Sequence, residues 1–283
     1  MVQRSGYIVI EAPKVIDYAR SRTGTGKSDP IDARAIATAA VLMDSTQQRF
    51  PRLDDGARAG LRVLLSARDQ MTIERTAKVN ALTALLRSVD LGVDARTPLS
   101  APHVEVISHW RRRDEELSLA IARNEAKRLA QRVTVLDIEL KENRTHLTEI
   151  LQATPAGALL EEVGVGPVNA AIVYTAWSHL GRVRSEAAFA ALAGVNPIPA
   201  SSGNTMRHRL NRGGDRRLNS ALHMAVVVRT AHDPTTREYV ARRTAEGKSP
   251  REIRRCLKRY LARALYRKLN ALHRTAESAA EAA

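Results

Sequence analysis

The sequence predicts a mainly α-helical protein. Three observations carry this. Hydrophobic residues make up 44% of the chain but aromatics only 4%. The apolar content is therefore mostly Ala, Leu and Val, and Ala and Leu lose little on entering a helix. Two long stretches place their apolar residues on one side of a helix. Only one segment, Tyr7–Ile10, reads as a buried strand.

Each element follows in order. Tyr7–Ile10 (YIVI) is a short apolar run closed by Pro13. One strand cannot make a sheet, so it pairs with something distant or the chain enters an α/β domain partway. Residues 23–27 (TGTGK) form a flexible basic loop. A helix starts at Asp29 or just after it, with Pro30 in its first turn. A break surrounds Pro51. A long helix then runs from Gly56 to Val89, with Leu61, Leu64, Leu65, Met71, Leu82, Leu85 and Leu86 on its apolar side. A second runs from Arg113 to Leu151, with Leu117, Ile121, Leu129, Val133, Leu136, Ile138, Leu140, Leu147 and Ile150. The Gly/Pro-containing connection 91–103 between them predicts an antiparallel helical hairpin or coiled coil, suited to spacing or dimerisation. From Ala158 the chain reads as a compact helical domain. Its last strong helix spans Pro250 to Thr275, and 276–283 is expected to fray as a disordered tail.

The net charge is +15. Residues 201–283 hold 19 Lys and Arg against 7 Asp and Glu, whereas residues 1–200 hold 26 against 23. A basic C-terminal region on a nearly neutral body points to a polyanion, most simply DNA or RNA. A solvated basic face that serves only solubility is the alternative. Cys256 is the one cysteine, which excludes an intramolecular disulfide, and no Cys/His cluster has metal-ligand spacing. The N-terminal apolar run is too short for a signal peptide and no stretch reads as a membrane span, so a cytoplasmic protein is expected.

Three motifs bear chemistry. In KSDPIDA, Asp29 and Asp32 lie three apart at a helix start, so both carboxylates can share a face. Such a pair suits a hard cation such as Mg²⁺. It equally suits an N-cap and a first-turn acid that complement the helix dipole. In LEEVGVGPVNAA, Gly164 and Gly166 allow a tight turn before a helix opening after Pro167. This is the helix-hairpin-helix pattern, which brings backbone N–H groups to a DNA phosphate, or an ordinary glycine-capped turn. In GVNPIPASSGN, a rigid exposed loop is followed by Arg207, His208, Arg209, Arg212, Arg216 and Arg217. A serine hydroxyl amid guanidinium groups can attack a phosphodiester whose added charge they stabilise. The same stretch also reads as a polar turn before a phosphate-binding cluster. His208 reads as a phosphate contact rather than a general base. The helix from Arg251 adds Arg254, Arg255, Lys258, Arg259, Arg263, Arg267 and Lys268.

Taken in order, KSDPIDARAIA, the long helical insertion, LLEEVGVGPVNAAIV, the stretch from Phe189 to His223 and the basic terminal helix resemble transposases of the insertion-sequence one-ten family. The most specific part is the G-x-x-P, S-G and G-G-D pattern between Phe189 and His223. The resemblance implies a ribonuclease-H-like α/β domain with an Asp-Glu-Asp-Asp metal tetrad, a coiled coil, and a helical domain supplying a serine nucleophile. It implies strand exchange through a serine–DNA link, Mg²⁺ as cofactor, and a structured guide RNA as partner. Carried over, Asp29 and Asp32 resemble the last two acids of the tetrad. Ser202 resembles the nucleophile, with Ser201 as the fallback. The first Asp and the Glu normally lie upstream, yet only 28 residues precede Asp29, and Glu11 is in the wrong place for either.

The expected organisation is a remnant of the resolvase-like nuclease domain over 1–52, the long helical insertion over 53–153, the helical transposase domain with the serine loop over 154–275, and the tail. The expected activity is that of an N-terminally truncated transposase that binds DNA and RNA but gives no strand transfer alone. It would form a homo-oligomer through its long helices. The rival expectation is a non-catalytic nucleic-acid-binding module using the Gly164–Pro167 turn and the basic helix.

Overall fold

A computed structural model describes residues 9–11, 29–44, 50–52, 56–200 and 208–281. Among these the fold is overwhelmingly helical: α1 (Asp29–Leu42), α2 (Gly56–Ser88), α3 (Ala101–Ser108), α4 (Leu117–Gln152), a 3₁₀ stretch (Pro155–Glu161), α5 (Pro167–Trp177), α6 (Glu186–Leu192), β1 (Pro197–Pro199), β2 (His208–Leu210), α7 (Arg216–His232), α8 (Pro234–Ala245) and α9 (Pro250–Glu281). The chain divides into two units, 59–157 and 1–58 together with 158–283.

The first unit is the helical hairpin. Contacts between α2 and α4 run in opposite directions along the chain. Gly60 faces Ile150. The Asn143 side-chain amide donates to the Leu64 carbonyl at 3.0 Å, and Arg68 donates to the Leu140 carbonyl at 2.9 Å. Arg132 donates twice to Glu74, at 2.8 and 2.9 Å, and Arg75 pairs with Asp137. One helix advances as the other retreats, so the pairing is antiparallel. Below these pairs lies an apolar core that includes Leu82, Leu86, Ile107, Ala126, Leu129 and Val133. Toward the same end, Arg123 is buried over the Trp110 ring and paired with Glu115 at 2.7 Å.

Two sequence expectations need correction here. The 91–103 connection is not plain loop: α3 begins at Ala101 with Pro102 in its first turn, and buries Val104 and Ile107 against α4. Leu117, Ile121 and Ile138, assigned to the apolar side, are exposed. The buried stripe of α4 is instead built partly from small residues, Ala122, Ala126 and Ala130, which let α3 approach closely.

The second unit is built around α5, α7 and α9. α5 buries nearly its whole length, ending in Trp177. The indole N–H donates to the Asn270 side chain of α9 at 2.8 Å. Tyr174, Trp177 and His273 stack on one another. Phe189 of α6 packs against Tyr266 of α9, whose hydroxyl donates to the Val183 carbonyl at 2.6 Å. Ser185, Asp215 and Asp233 cap α6, α7 and α8, each accepting a backbone N–H two or three residues into its helix.

The single-strand expectation is not met among the described residues. Tyr7 and Ile8 lie outside them, and Val9–Glu11 carry no strand. Glu11 instead accepts a hydrogen bond from buried Arg182 at 3.1 Å. No sheet of a ribonuclease-H-like domain is present among the described residues, where the sheet consists of β1 and β2. At the other end, α9 continues six residues past Thr275 to Glu281. The Ala/Glu composition taken as a frayed tail is also a strong helix-forming composition, and a helix already under way propagates through it.

Candidate nucleic-acid interface and serine loop

The loop carrying the serines is bracketed by a two-stranded ribbon that sequence reading did not foresee. β1 and β2 pair antiparallel, with Pro197 opposite Leu210, Ile198 opposite Arg209 and Pro199 opposite His208. The strands are three residues each and β1 contains two prolines, so neither alternation nor β-propensity marks them. Ser201, Ser202 and Arg207 fall in the connection and lie outside the described residues.

The base of the ribbon is fastened by close backbone packing. Gly194 has φ +65° and Gly214 φ +98°. A side chain on Gly194 would come within 2.4 Å of the Gly213 carbonyl oxygen, and one on Gly214 within 2.6 Å of the Leu192 oxygen. Both positions require glycine, for conformation and for space. The Asp215 N–H donates to the Leu192 carbonyl at 2.7 Å, and the Asn211 side chain donates to that of Asn196 at 2.6 Å. The G-G-D stretch is thus the clasp that ties the start of α7 to the end of α6, with the ribbon between them. Asp215 also caps Leu218 and pairs with Arg52 at 3.3 Å.

Asn219 and Lys258 complete this base. The Asn219 side chain donates to the Ala193 carbonyl at 2.7 Å, and its oxygen accepts from the Lys258 ammonium at 3.0 Å. Burial, together with Arg255 and Arg254 nearby, lowers the Lys258 pKa. A polar residue one turn past a helix start next to a glycine pair was the available signal.

Among the arginines singled out, Arg209, Arg212, Arg216 and Arg217 are all exposed. Arg217 has a partner within the chain. The basic face of α9 is smaller than the sequence implies. Arg263 and Arg267 both bind Glu186, lowering its pKa. Lys268 binds Glu162 at 2.8 Å, and Lys258 is held by Asn219. Those cations hold the unit together, leaving Arg251 and Arg255 among the exposed ones on this helix.

Gly164 and Gly166 separate in role. Gly164 has φ +80°, and a side chain there would lie 2.5 Å from the Ala225 carbonyl oxygen of α7. Its need for glycine comes from packing inside the unit. Gly166 caps α5 and has open space around it. The stretch before this turn is 3₁₀ rather than α-helix.

Asp29 and Asp32 occupy the first turn of α1, and both are exposed. Their carboxylates are the right donors for a hard cation and equally the right charge for a helix start. Among the described residues no third acid, histidine or cysteine joins them into a cation-holding group. Two carboxylates do not form a Mg²⁺ site by themselves. Among the described residues, no helix is long and apolar enough to cross a membrane.

Comparison with known proteins places both halves of this picture. Residues 156–241 match the transposase family IS116/IS110/IS902, and residues 4–90 match the DEDD transposase family of IS110. The first match runs from the 3₁₀ stretch through the ribbon into α8, and the second contains Asp29 and Asp32. An uncharacterized 42 kDa protein of insertion element IS900 from Mycobacterium paratuberculosis is 28% identical over 273 residues, covering 81% of this chain and 68% of the relative. An uncharacterized 43.6 kDa protein of insertion element IS110 from Streptomyces coelicolor is 25% identical over 269 residues, covering 80% of this chain and 66% of the relative. The chain thus spans about two thirds of the length of these relatives. The two matched domains and both relatives support a transposase of the IS110 family.

Proposed function

We propose that this chain is a DNA transposase or recombinase polypeptide that grips DNA with its C-terminal unit and presents Ser202 to the phosphodiester. One observation carries the reading. The β1–β2 ribbon brackets the serine connection, is clamped at its base by the Gly194 and Gly213–Asp215 clasp, and is flanked by exposed Arg209, Arg212 and Arg216. A serine in the connection between two braced strands, in a stretch with exposed guanidinium groups, suits reaction with a polyanion.

In this reading the Ser202 hydroxyl oxygen bonds to phosphorus and the bond from phosphorus to one bridging deoxyribose oxygen breaks. The serine proton leaves, and the departing oxygen takes up a proton. The number of phosphoester bonds is unchanged, so the cut strand is conserved on the protein for rejoining. Arg207 and Arg209 balance the charge added at phosphorus. Gly166, at the start of α5, offers backbone N–H groups to a phosphate, alongside Arg212, Arg216 and Arg217. Asp29 and Asp32 would contribute carboxylates to a Mg²⁺ completed by further ligands. A structured guide RNA is the expected second polyanion, and the α2–α4 hairpin the expected self-association arm.

The test is a denaturing gel of the chain with end-labelled DNA, with and without Mg²⁺, beside binding measured at several salt concentrations. Salt-sensitive binding with a covalent adduct that Ser202→Ala abolishes and Ser201→Ala retains supports the reading. Binding with no adduct in any condition favours the non-catalytic module, which the two-carboxylate set among the described residues also suits. Absence of binding at low salt overturns both.

A further inference from the structure

Away from the ribbon, α7, α8 and α9 enclose an open cavity of about 350 Å³. Its wall is apolar, including Val226 and Leu261, and two tyrosines face into it, Tyr239 from α8 and Tyr260 from α9. Their rings meet edge to face with centroids 5.9 Å apart. Each has a guanidinium over it, Arg242 at 5.5 Å from the Tyr239 centroid and Arg259 at 5.4 Å from that of Tyr260. The Arg259 Nε–H is buried without a hydrogen-bond partner.

The polar end is made by Arg229 and Asp233. Arg229 lies 3.7 Å from Glu162 and 3.8 Å from Asp233, and neither distance is a hydrogen bond. These two ion pairs leave the guanidinium able to donate hydrogen bonds to a ligand that has acceptors in a plane. Asp233 is held ionised, because Thr236 donates to it from hydroxyl and backbone. Burial, with Cys256 and Tyr260 alongside, pushes the Tyr239 hydroxyl up to about 12, so it stays a neutral donor. The surroundings are strongly cationic: residues 234–263 hold ten Lys and Arg against three acids.

We propose that this cavity seats one unstacked nucleobase of a single-stranded nucleic acid, with the flanking phosphates on the α8 and α9 arginines. A flat heteroaromatic ring stacks on tyrosine without regard to sequence. Its edge carries both acceptors and donors, which Arg229 and Asp233 match in turn. The surrounding charge selects a polyanion over an uncharged aromatic ligand. A duplex keeps its bases stacked inward and cannot fill the site. The assignment rests on the nucleic-acid reading above and adds to it a strand state and a place.

The experiment uses the full chain with oligonucleotides carrying one 2-aminopurine, as single-stranded DNA, single-stranded RNA and duplex DNA. Stacking on tyrosine quenches the probe. We expect quenching with the single strands, and roughly tenfold weaker single-strand binding in Tyr260→Leu. Tyr260→Phe should restore it, and duplex affinity should not change. The DNA and RNA arms show which strand the site prefers. Binding that Tyr260→Leu leaves unchanged, or weakens equally for duplex and single strand, overturns the nucleobase site while leaving the DNA-gripping reading intact. Absence of binding by every oligonucleotide at low salt overturns that reading and this one with it.

Discussion

Asn219 and Lys258 meet at 3.0 Å, joining the third turn of α9 to the first turn of α7. The lysine is partly desolvated and crowded by two arginines, which lowers its pKa, and the Asn219 oxygen accepts one of its N–H bonds. The other end of the same amide holds the Ala193 carbonyl. Asn219→Ala removes both links and leaves a half-buried ammonium without its acceptor. Urea denaturation should show a loss of about 1–3 kcal/mol. Lys258→Met keeps the apolar stem and removes the charge, so its loss should be smaller by about 1 kcal/mol. Equal losses would mean that the Asn219–Lys258 link carries the whole effect and the bond to Ala193 adds nothing.

Gly164 and Gly166 should respond differently to alanine. At Gly164 the backbone is left-handed and the new methyl group meets the Ala225 carbonyl, so Gly164→Ala should cost at least about 1–3 kcal/mol. At Gly166 the space is open and φ is −75°, so Gly166→Ala should stay within about 0.5 kcal/mol. A fall in DNA affinity without a fall in melting temperature in Gly166→Ala would mark the start of α5 as a phosphate contact.

The exposed arginines near the ribbon make a prediction about salt. If Arg209, Arg212 and Arg216 each neutralise a phosphate, replacing one with alanine should reduce the slope of log affinity against log salt by about 1. The loss should be similar for unrelated DNA sequences. Arg263→Ala should leave the slope unchanged, since its guanidinium is bound to Glu186. Fluorescence anisotropy at four salt concentrations is sufficient.

His273 sets an acid-side weakness. Burial against Tyr174 and Trp177, and the nearby Arg58, lower its pKa from the ordinary value of 6.5. The unfolded chain therefore takes up a proton before the folded one does. Stability from this group is complete above about pH 6.5 and is lost as pH falls toward the folded value. The urea midpoint should drop between pH 7.5 and 5.5. His273→Phe, which keeps a ring in the stack, should flatten that drop.

Much of the architecture was legible because long helices announce themselves. The bounds expected for the first hairpin helix differ from α2 by one residue, and those of the second from α4 by four at its start and one at its end. Pro30 and Pro250 marked helix starts for the reason that a missing N–H costs nothing there. The short α3 was hidden in a Gly/Pro-containing connection, and the ribbon was hidden by its prolines. At the candidate site, the arginines and the G-G-D stretch were visible as residue types. What could not be read was which cations the fold would consume internally. The pairing of Arg263 and Arg267 with Glu186, about 80 residues away, is a tertiary fact with no local trace.

Asn143 lies buried in the hairpin with its amide on the Leu64 carbonyl, beside the Arg68 guanidinium. Sliding α4 along α2 by one turn would strand that amide in an apolar seam, so the two helices have one register and not a ladder of near-equal ones. The hairpin is for that reason fixed in length. With 33 residues in α2, at about 1.5 Å each, its reach is near 50 Å and does not telescope under load.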